Sequence, residues 1–196
     1  MWGKGYKRVA CLDEAGRGPL AGPVTAAAVV ILNPKYKILN TKLRDSKKLS
    51  PKVREKIYKL LTRNPNIKWG IGVVSERVID KINVLEATKL AMKRAIQKLN
   101  KKPNFLILDG NFKINSKIPQ KSIVKADQKV FSCSAASILA KVYRDRIMRK
   151  IAKIYPQYGF DRHKGYPTKF HLKMLKKYGP SVIHRLTFTP IKKMVK

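Results

Sequence analysis

Two short apolar runs in this chain each end at an aspartate and a turn. Residues 8–12 are followed by Asp13 and Glu14, and residues 105–108 are followed by Asp109 and Gly110. Short apolar runs bounded by turn residues are typical of buried strands. If the two strands run parallel in one sheet, both aspartates emerge at the same edge, where α/β proteins place their sites. The pattern therefore predicts an α/β fold with an acidic sheet edge.

Further strands and helices surround these two runs. Apolar stretches predict strands over residues 24–32, 68–75 and 122–124, with Gly70 and Gly72 marking close backbone packing in the second of them. Capping and first-turn signals predict four helix starts, the third opening a long helix to about residue 154. These starts lie at Ser50-Pro51, at Asn83 with Glu86, at Asp127 and at Thr168. The order predicts a mixed α/β domain with a helical C-terminal portion.

The acidic residues predict a metal site. Asp127 opens the long helix directly after a strand, which can bring it to the crevice of Asp13 and Asp109. In a regular strand Glu14 points to the opposite face, so it can join Asp13 only if the strand ends there. Carboxylates this close repel one another, and a cation would compensate them. The open alternatives are that Asp109 and Gly110 form only a turn, and that Asp127 is only a helix cap.

Magnesium would suit such a site. It prefers a few carboxylates together with waters and phosphate oxygens. Two such ions about 3.5–4 Å apart would stabilise the attacking and leaving oxygens of an in-line phosphodiester displacement.

The charge of the chain indicates a polyanionic partner. Lys and Arg number 45 against 11 Asp and Glu, a formal net charge of +34. Nucleic acid is the default partner of such a protein, because phosphate neutralisation supplies most non-specific affinity. The alternative is a source whose proteins are all rich in lysine. The 44% of hydrophobic residues excludes a wholly disordered basic chain.

We expect a cytoplasmic protein without membrane association. Cys11 and Cys133 have no metal-ligand spacing and are typical of buried thiols in a reducing compartment. No signal peptide is visible, and the longest apolar run, residues 24–32, is far shorter than the roughly 20 residues that a membrane span needs.

At the acidic residues Asp13, Glu14, Asp109 and Asp127, and in the segments around them, the chain resembles the ribonuclease HII family, the type 2 ribonucleases H. The resemblance extends over nearly its whole length. His184-Arg185 followed by Phe188 matches the usual C-terminal signature. A single motif would be weak evidence, but the set in order at family spacing is a specific match. The matching segments are residues 13–19, 45–49, 82–96, 108–110, 125–127, 134–145 and 163–168.

The resemblance implies a ribonuclease H-like fold, a mixed five-stranded sheet flanked by helices with a helical C-terminal region. It implies that Asp13, Glu14, Asp109 and Asp127 bind Mg²⁺ or Mn²⁺ and are catalytic. The implied activity is cleavage of RNA–DNA hybrids, and of duplex DNA 5′ to single embedded ribonucleotides, leaving 3′-hydroxyl and 5′-phosphate ends. The chain's three histidines are not needed for this chemistry.

The resemblance also implies residues that bind substrate. Gly16, Arg17 and Gly18 resemble the family's backbone element that recognises the 2′-hydroxyl, the group that distinguishes RNA from DNA. Tyr166 matches the tyrosine that packs on the deoxyribose after the junction. Lys47 and Arg17 are candidate phosphate contacts. The glycine segment alternatively serves as a tight turn, and Tyr166 as a loop anchor.

The same resemblance sets the expected organisation. We expect residues 1–196 to form a single ribonuclease H-like catalytic domain, in which residues 156–196 are a helical, substrate-binding portion. We expect a monomer whose partners are RNA–DNA hybrids and ribonucleotide-containing duplex DNA, without a sliding-clamp-binding tail. No extension precedes the first strand, which argues against the related ribonuclease HIII.

Two other functions compete with this one. A different ribonuclease H-like nuclease, such as a transposase or a junction resolvase, would use the same carboxylates but would not need the glycine segment. A basic nucleic-acid-binding or ribosome-associated protein would have no reason to collect carboxylates at strand ends.

Overall fold

The computed structural model describes residues 5–32 and 49–195. In them one mixed sheet has the strand order β3-β2-β1-β4-β5. β1 pairs antiparallel with β2, which pairs antiparallel with β3, whereas β1–β4 and β4–β5 are parallel. The strands are β1 (Val9–Ala15), β2 (Val24–Ile31), β3 (Ile67–Val74), β4 (Phe105–Asp109) and β5 (Gln120–Ile123). The predicted mixed five-stranded sheet is confirmed.

Helices flank this sheet and form the C-terminal region, as predicted. Ser50 Oγ accepts from Val53 N at 3.3 Å, and Thr168 Oγ1 accepts from His171 N at 3.2 Å, so both hydroxyls cap the helices they precede. The helices are α1 (Pro51–Arg63), α2 (Glu76–Gln97), α3 (Ala126–Lys129), α4 (Phe131–Ile154), α5 (Phe160–His163), α6 (Lys169–Tyr178) and α7 (Ile191–Met194). None of the described helices combines the length and the apolarity needed to cross a membrane.

The two faces of the sheet carry separate cores. Ala10 and Leu12 of β1 pack on the α2 side, whereas Cys11 packs on the opposite side. α1 and α4 cover that opposite face. A Cβ added at Gly72 would lie 2.8 Å from the Ala95 nitrogen, and one added at Gly70 would also meet the α2 backbone. The predicted close packing of these glycines is confirmed, since α2 lies directly on β3.

Two predicted helix starts differ from the structure. α2 begins at Glu76, and Asn83 lies inside it at a kink with φ 64°. The Asn83 side chain caps the second half of the helix by accepting from Leu85 N and Glu86 N at 2.9 and 3.1 Å. The helix predicted from Asp127 is interrupted at the β-branched Val130, whose backbone is extended (φ −125°, ψ 116°). Asp127 therefore lies in the separate short helix α3.

The strands that frame the site also differ from the prediction. β1 continues through Asp13 and Glu14 to Ala15, because its pairing with β2 extends to Ala15 opposite Thr25. β5 begins at Gln120, whose side chain bonds both the amide and the carbonyl of Ile114 at 2.9 and 2.8 Å.

Candidate active site

Three aspartates from three elements meet at one edge of the sheet. Leu12 of β1 pairs in parallel register with Leu108 of β4, so Asp13 and Asp109 follow side by side. The Ala126 amide donates to Asp109 Oδ1 at 3.0 Å, which places Asp127 of α3 beside them. One carboxylate oxygen from each aspartate lies within 4.8 Å of the others. We call Asp13, Asp109 and Asp127 the aspartate triad.

The triad is electrostatically suited to a cation. Burial raises the pKa of Asp13 well above its usual value, and the charges of Glu14 and Asp109 raise it further. The Glu14 amide, which donates to Asp13 Oδ1 at 2.7 Å, and a hydrogen bond with Ser137 oppose this shift of the pKa. A buried carboxylate with this environment is stabilised by a positive charge. Since the candidate metal ligands are all carboxylate oxygens, they fit a hard divalent cation such as Mg²⁺ or Mn²⁺.

Glu14 lies next to the triad without being part of it. β1 does not end at Asp13, as the sequence analysis had required, but Glu14 still lines the cleft beside the triad. Its carboxylate accepts from Arg17 Nη1 at 3.3 Å, and its charge still acts on Asp13. The role of Glu14 as a metal ligand stays a prediction.

A cleft of roughly 340 Å³ adjoins the triad. Ser137 connects the two, because it bonds Asp13 and also lines the cleft. The predicted substrate residues Gly16, Arg17, Gly18 and Tyr166 all line it. Lys47, the remaining predicted contact, lies outside the described residues. The structure therefore brings four of these five candidates together beside the carboxylates.

Arg17 and Tyr166 are available to a bound molecule. The Arg17 side chain is 43% exposed, and its guanidinium lies 5.7 Å from the centre of the Phe112 ring. Tyr166 is 42% exposed, with Lys141 Nζ 5.9 Å from the centre of its ring. Both side chains line the same cleft, although they lie far apart in the sequence.

The cleft is also lined by three polar residues that the sequence pattern did not indicate: Arg54, Ser137 and Lys141. Arg54 donates to the Leu49 carbonyl at 2.8 Å, and Lys141 pairs with Asp145 at 2.9 Å. The spacing of four residues between Ser137 and Lys141 places both on one face of α4. That spacing is the signal by which they could have been found.

All three histidines lie in the C-terminal region instead of the cleft. His171 and His184 are buried, and their Nε2 atoms are 3.1 Å apart. The His163 ring stacks on that of His171, with ring centres 4.5 Å apart. They form a packed cluster with Phe160.

The chain is similar in sequence and in structure to several known proteins. A family model described as Ribonuclease HII matches residues 10–191. A curated Ribonuclease HII from Chlamydia trachomatis serovar A is 52% identical over 192 residues, which cover 98% of this chain and 87% of the relative. The ribonuclease H2 from Pyrococcus horikoshii OT3 superposes with a TM-score of 0.79 at 29% identity, covering 95% of this chain and 96% of that one. Bst-RNase HIII, solved in complex with Mn²⁺, shares the fold with a TM-score of 0.74 at 18% identity, covering 96% and 69%.

Proposed function

Since this chain belongs to the ribonuclease HII family, we propose that it cuts both RNA–DNA hybrids and duplex DNA that contains single ribonucleotides. Family membership makes it a nuclease, a hydrolase that acts as an endoribonuclease on RNA–DNA hybrids. The finer activity is cleavage 5′ to the ribonucleotide, leaving 3′-hydroxyl and 5′-phosphate ends. The observation that supports it is the aspartate triad beside a cleft lined by Gly16, Gly18 and Tyr166.

The aspartate triad would hold divalent cations, with Glu14 as a further ligand from the cleft side. Two ions bound there would stabilise the attacking and leaving oxygens of an in-line displacement. The carboxylates of Asp13, Asp109 and Asp127 would hold these cations at the sheet edge, because their mutual repulsion favours binding of a positive charge. Mg²⁺ and Mn²⁺ both suit this set of oxygen ligands.

Recognition of the ribonucleotide would come from the residues on the other side of the cleft. Gly18 lets the main chain approach a sugar closely, because an added Cβ there meets only the Tyr166 ring, at 3.8 Å. Tyr166 offers a flat surface on which a deoxyribose can pack. Arg17 would contact a phosphate.

The C-terminal portion would complete the substrate groove. Residues 156–196 supply Tyr166, and their apolar side chains pack on Leu20 and Ala21, which follow the glycine segment. We propose that residues 1–196 act as one catalytic domain in which this portion binds the duplex. The net charge of +34 supplies the non-specific affinity for it.

The decisive experiment uses a duplex with one ribonucleotide and the same duplex made only of DNA. We expect metal-dependent nicking 5′ to the ribonucleotide with Mg²⁺ or Mn²⁺, and no nicking with chelator. The all-DNA duplex is the matched control. Equal cutting of both duplexes, or cutting in chelator, would contradict the proposal.

A further inference from the structure

Two arginines are the largest fully buried side chains of the described residues. Arg144 of α4 is 1% exposed, and Arg185, which precedes α7, is 0% exposed. Burying a guanidinium is unfavourable unless its donors are satisfied, and a buried arginine ordinarily pairs with a carboxylate. Every hydrogen bond that the structure describes for these two groups goes instead to a main-chain carbonyl.

The guanidinium groups of both arginines donate hydrogen bonds to the backbone of one loop. We call residues 16–23, between β1 and β2, the glycine loop. Arg144 donates through Nε to the Pro23 carbonyl at 2.9 Å and through Nη2 to the Ala21 carbonyl at 3.1 Å. Its Nη1 donates to the Lys164 carbonyl at 3.0 Å, two residues before Tyr166. Arg144 thus joins the glycine loop to the turn that carries the tyrosine.

Arg185 donates hydrogen bonds to the part of the glycine loop that lines the cleft. Its Nη1 donates to the Arg17 carbonyl at 2.8 Å, and its Nη2 donates to the Gly16 and Gly22 carbonyls at 2.6 and 2.8 Å. Nε donates to the Gly22 carbonyl as well, at 3.0 Å. A guanidinium suits this role, because its several N–H donors are fixed in one plane and can bind the carbonyls of more than one peptide unit at once.

These contacts determine which way the loop's amides point. In a planar trans peptide the C=O of one residue and the N–H of the next point in opposite directions. The Gly16 and Arg17 carbonyls are turned inward onto Arg185, so the N–H groups of Arg17 and Gly18 are turned outward. Both residues line the cleft, and two adjacent amide donors therefore face it.

Gly16 makes the arrangement possible. Its φ of 97° lies in the left-handed region, and a Cβ added there would overlap the Arg144 side chain and come within 2.8 Å of the Pro23 carbonyl oxygen. The Arg144 side chain therefore packs directly against the backbone at position 16, and any residue larger than glycine there would collide with it.

We propose that Arg144 and Arg185 are positioning residues for ribonucleotide recognition, which orient the Arg17 and Gly18 amides toward the substrate sugar and fix their distance to Tyr166. This proposal rests on the function proposed above. Without the arginines, the same peptides could rotate and present carbonyls, which cannot donate to a hydroxyl oxygen or a phosphate oxygen.

The test compares binding of the single-ribonucleotide duplex with binding of the all-DNA duplex, in chelator so that both stay intact. For Arg185→Lys we expect the ratio of the two affinities to fall about tenfold, the effect of losing one hydrogen bond from a charged donor. The all-DNA affinity should stay unchanged, because lysine keeps the charge. Arg144→Lys should act in the same direction. Arg146→Lys is the matched control: Arg146 is two residues along α4, pairs with Glu55 and has no described contact with the loop, so its ratio should equal wild type.

Amide hydrogen exchange supplies the second measurement. In Arg185→Lys, protection should fall in the peptide covering residues 16–23 and stay unchanged in β3. A normal affinity ratio in a folded Arg185→Lys variant would overturn the proposal. So would loss of β3 protection in both lysine variants, because the arginines would then serve folding as a whole. If wild type itself showed no preference for the ribonucleotide, the sugar recognition in the proposed function would fail instead.

Discussion

Asp13 is a buried carboxylate that two neighbouring negative charges repel. It is 6% exposed, and the charges of both Glu14 and Asp109 raise its pKa in addition to its burial. A side chain in this position is poorly tolerated as an anion until a cation binds. The residue therefore serves cation binding at the expense of the stability of the metal-free protein.

Asp13→Asn should separate these two effects. We expect nicking to fall by roughly 10²–10³-fold or more, as when a preorganised electrostatic contact is lost. The thermal midpoint of the metal-free protein should rise, because one buried charge is removed. Adding Mn²⁺ should raise the midpoint of wild type and leave that of the variant nearly unchanged. Near-wild-type turnover by the variant would show that the site is misassigned.

Gly16 and Gly18 flank Arg17 in the sequence, but their surroundings in the structure give them different roles. An added Cβ overlaps Arg144 at Gly16, whereas at Gly18 it is in ordinary contact with the Tyr166 ring at 3.8 Å. We predict that Gly16→Ala lowers the free energy of unfolding by about 2–5 kcal/mol, through backbone strain and overlap. Gly18→Ala should leave it within about 0.5 kcal/mol of wild type.

The two alanine variants also differ in what they do to activity. Gly18→Ala should fold normally and cut the single-ribonucleotide duplex more slowly, since its methyl group stands where the sugar would approach. Denaturant unfolding and initial rates measure the two quantities. Equal destabilisation by both substitutions would contradict the separate roles.

At the scale of elements, a chain of hydrogen bonds ties the C-terminal segment to the turn that carries Tyr166. Ser181 N–H donates to His184 Nδ1 at 2.9 Å, so His184 Nε2–H donates to His171 Nε2 at 3.1 Å. His171 Nδ1–H then donates to the Tyr166 carbonyl at 2.9 Å. Each tautomer is determined by its neighbour, and the chain requires both rings to be neutral.

This chain of bonds predicts how stability depends on pH. Burial lowers the pKa of His171 and that of His184 to about 4, below the ordinary value of 6.5. Between these values the unfolded chain binds more protons than the folded one, so stability is full above the unfolded pKa and is lost as pH falls toward the folded pKa. From about pH 7.5 to about pH 5 we expect each histidine to contribute a loss of about 2 kcal/mol in the free energy of unfolding, about 4 kcal/mol for the pair.

A variant isolates the histidine contribution. The raised pKa of Asp13 acts with the opposite sign, stabilising the fold as pH falls, so wild type alone does not separate the two. His171→Asn should be less stable than wild type near neutral pH and should lose less on acidification. Urea unfolding at both pH values measures this difference. Identical losses in the two proteins would exclude the histidine pair as the cause.

At the scale of the whole molecule, the charge of +34 acts on stability and on binding in opposite directions. Like charges repel one another in the compact state, so added salt should raise the thermal midpoint. Phosphate contacts release counterions, so the same salt should weaken duplex binding steeply between about 50 and about 200 mM.

Salt also distinguishes affinity from discrimination. The 2′-hydroxyl is uncharged, so the slope of log affinity against log salt should be equal for the ribonucleotide duplex and the all-DNA duplex. Fluorescence anisotropy over a salt series measures both slopes. A ribonucleotide preference that vanished with salt would show that charge, instead of the glycine loop, supplies the discrimination.

Local pattern accounts for most of the fold. Apolar runs and turn residues located all five strands to within a few residues, and capping residues located the starts of α1 and α6. The same pattern selected Asp13, Asp109 and Asp127, because strand ends and helix starts are local signals. It failed for the end of β1, where the pairing partner decides, since β2 carries β1 past Asp13 to Ala15.

The sequence by itself determined the elements, the charge and the residues capable of the chemistry, since these depend on spacing and side-chain type. Only the tertiary structure decided how they meet. Parallel pairing of β1 with β4 brings Asp13 to Asp109, and Arg185 reaches the Gly16 carbonyl across 169 positions of the chain. No local pattern encodes such contacts, because packing and the satisfaction of buried donors select them among many distant partners.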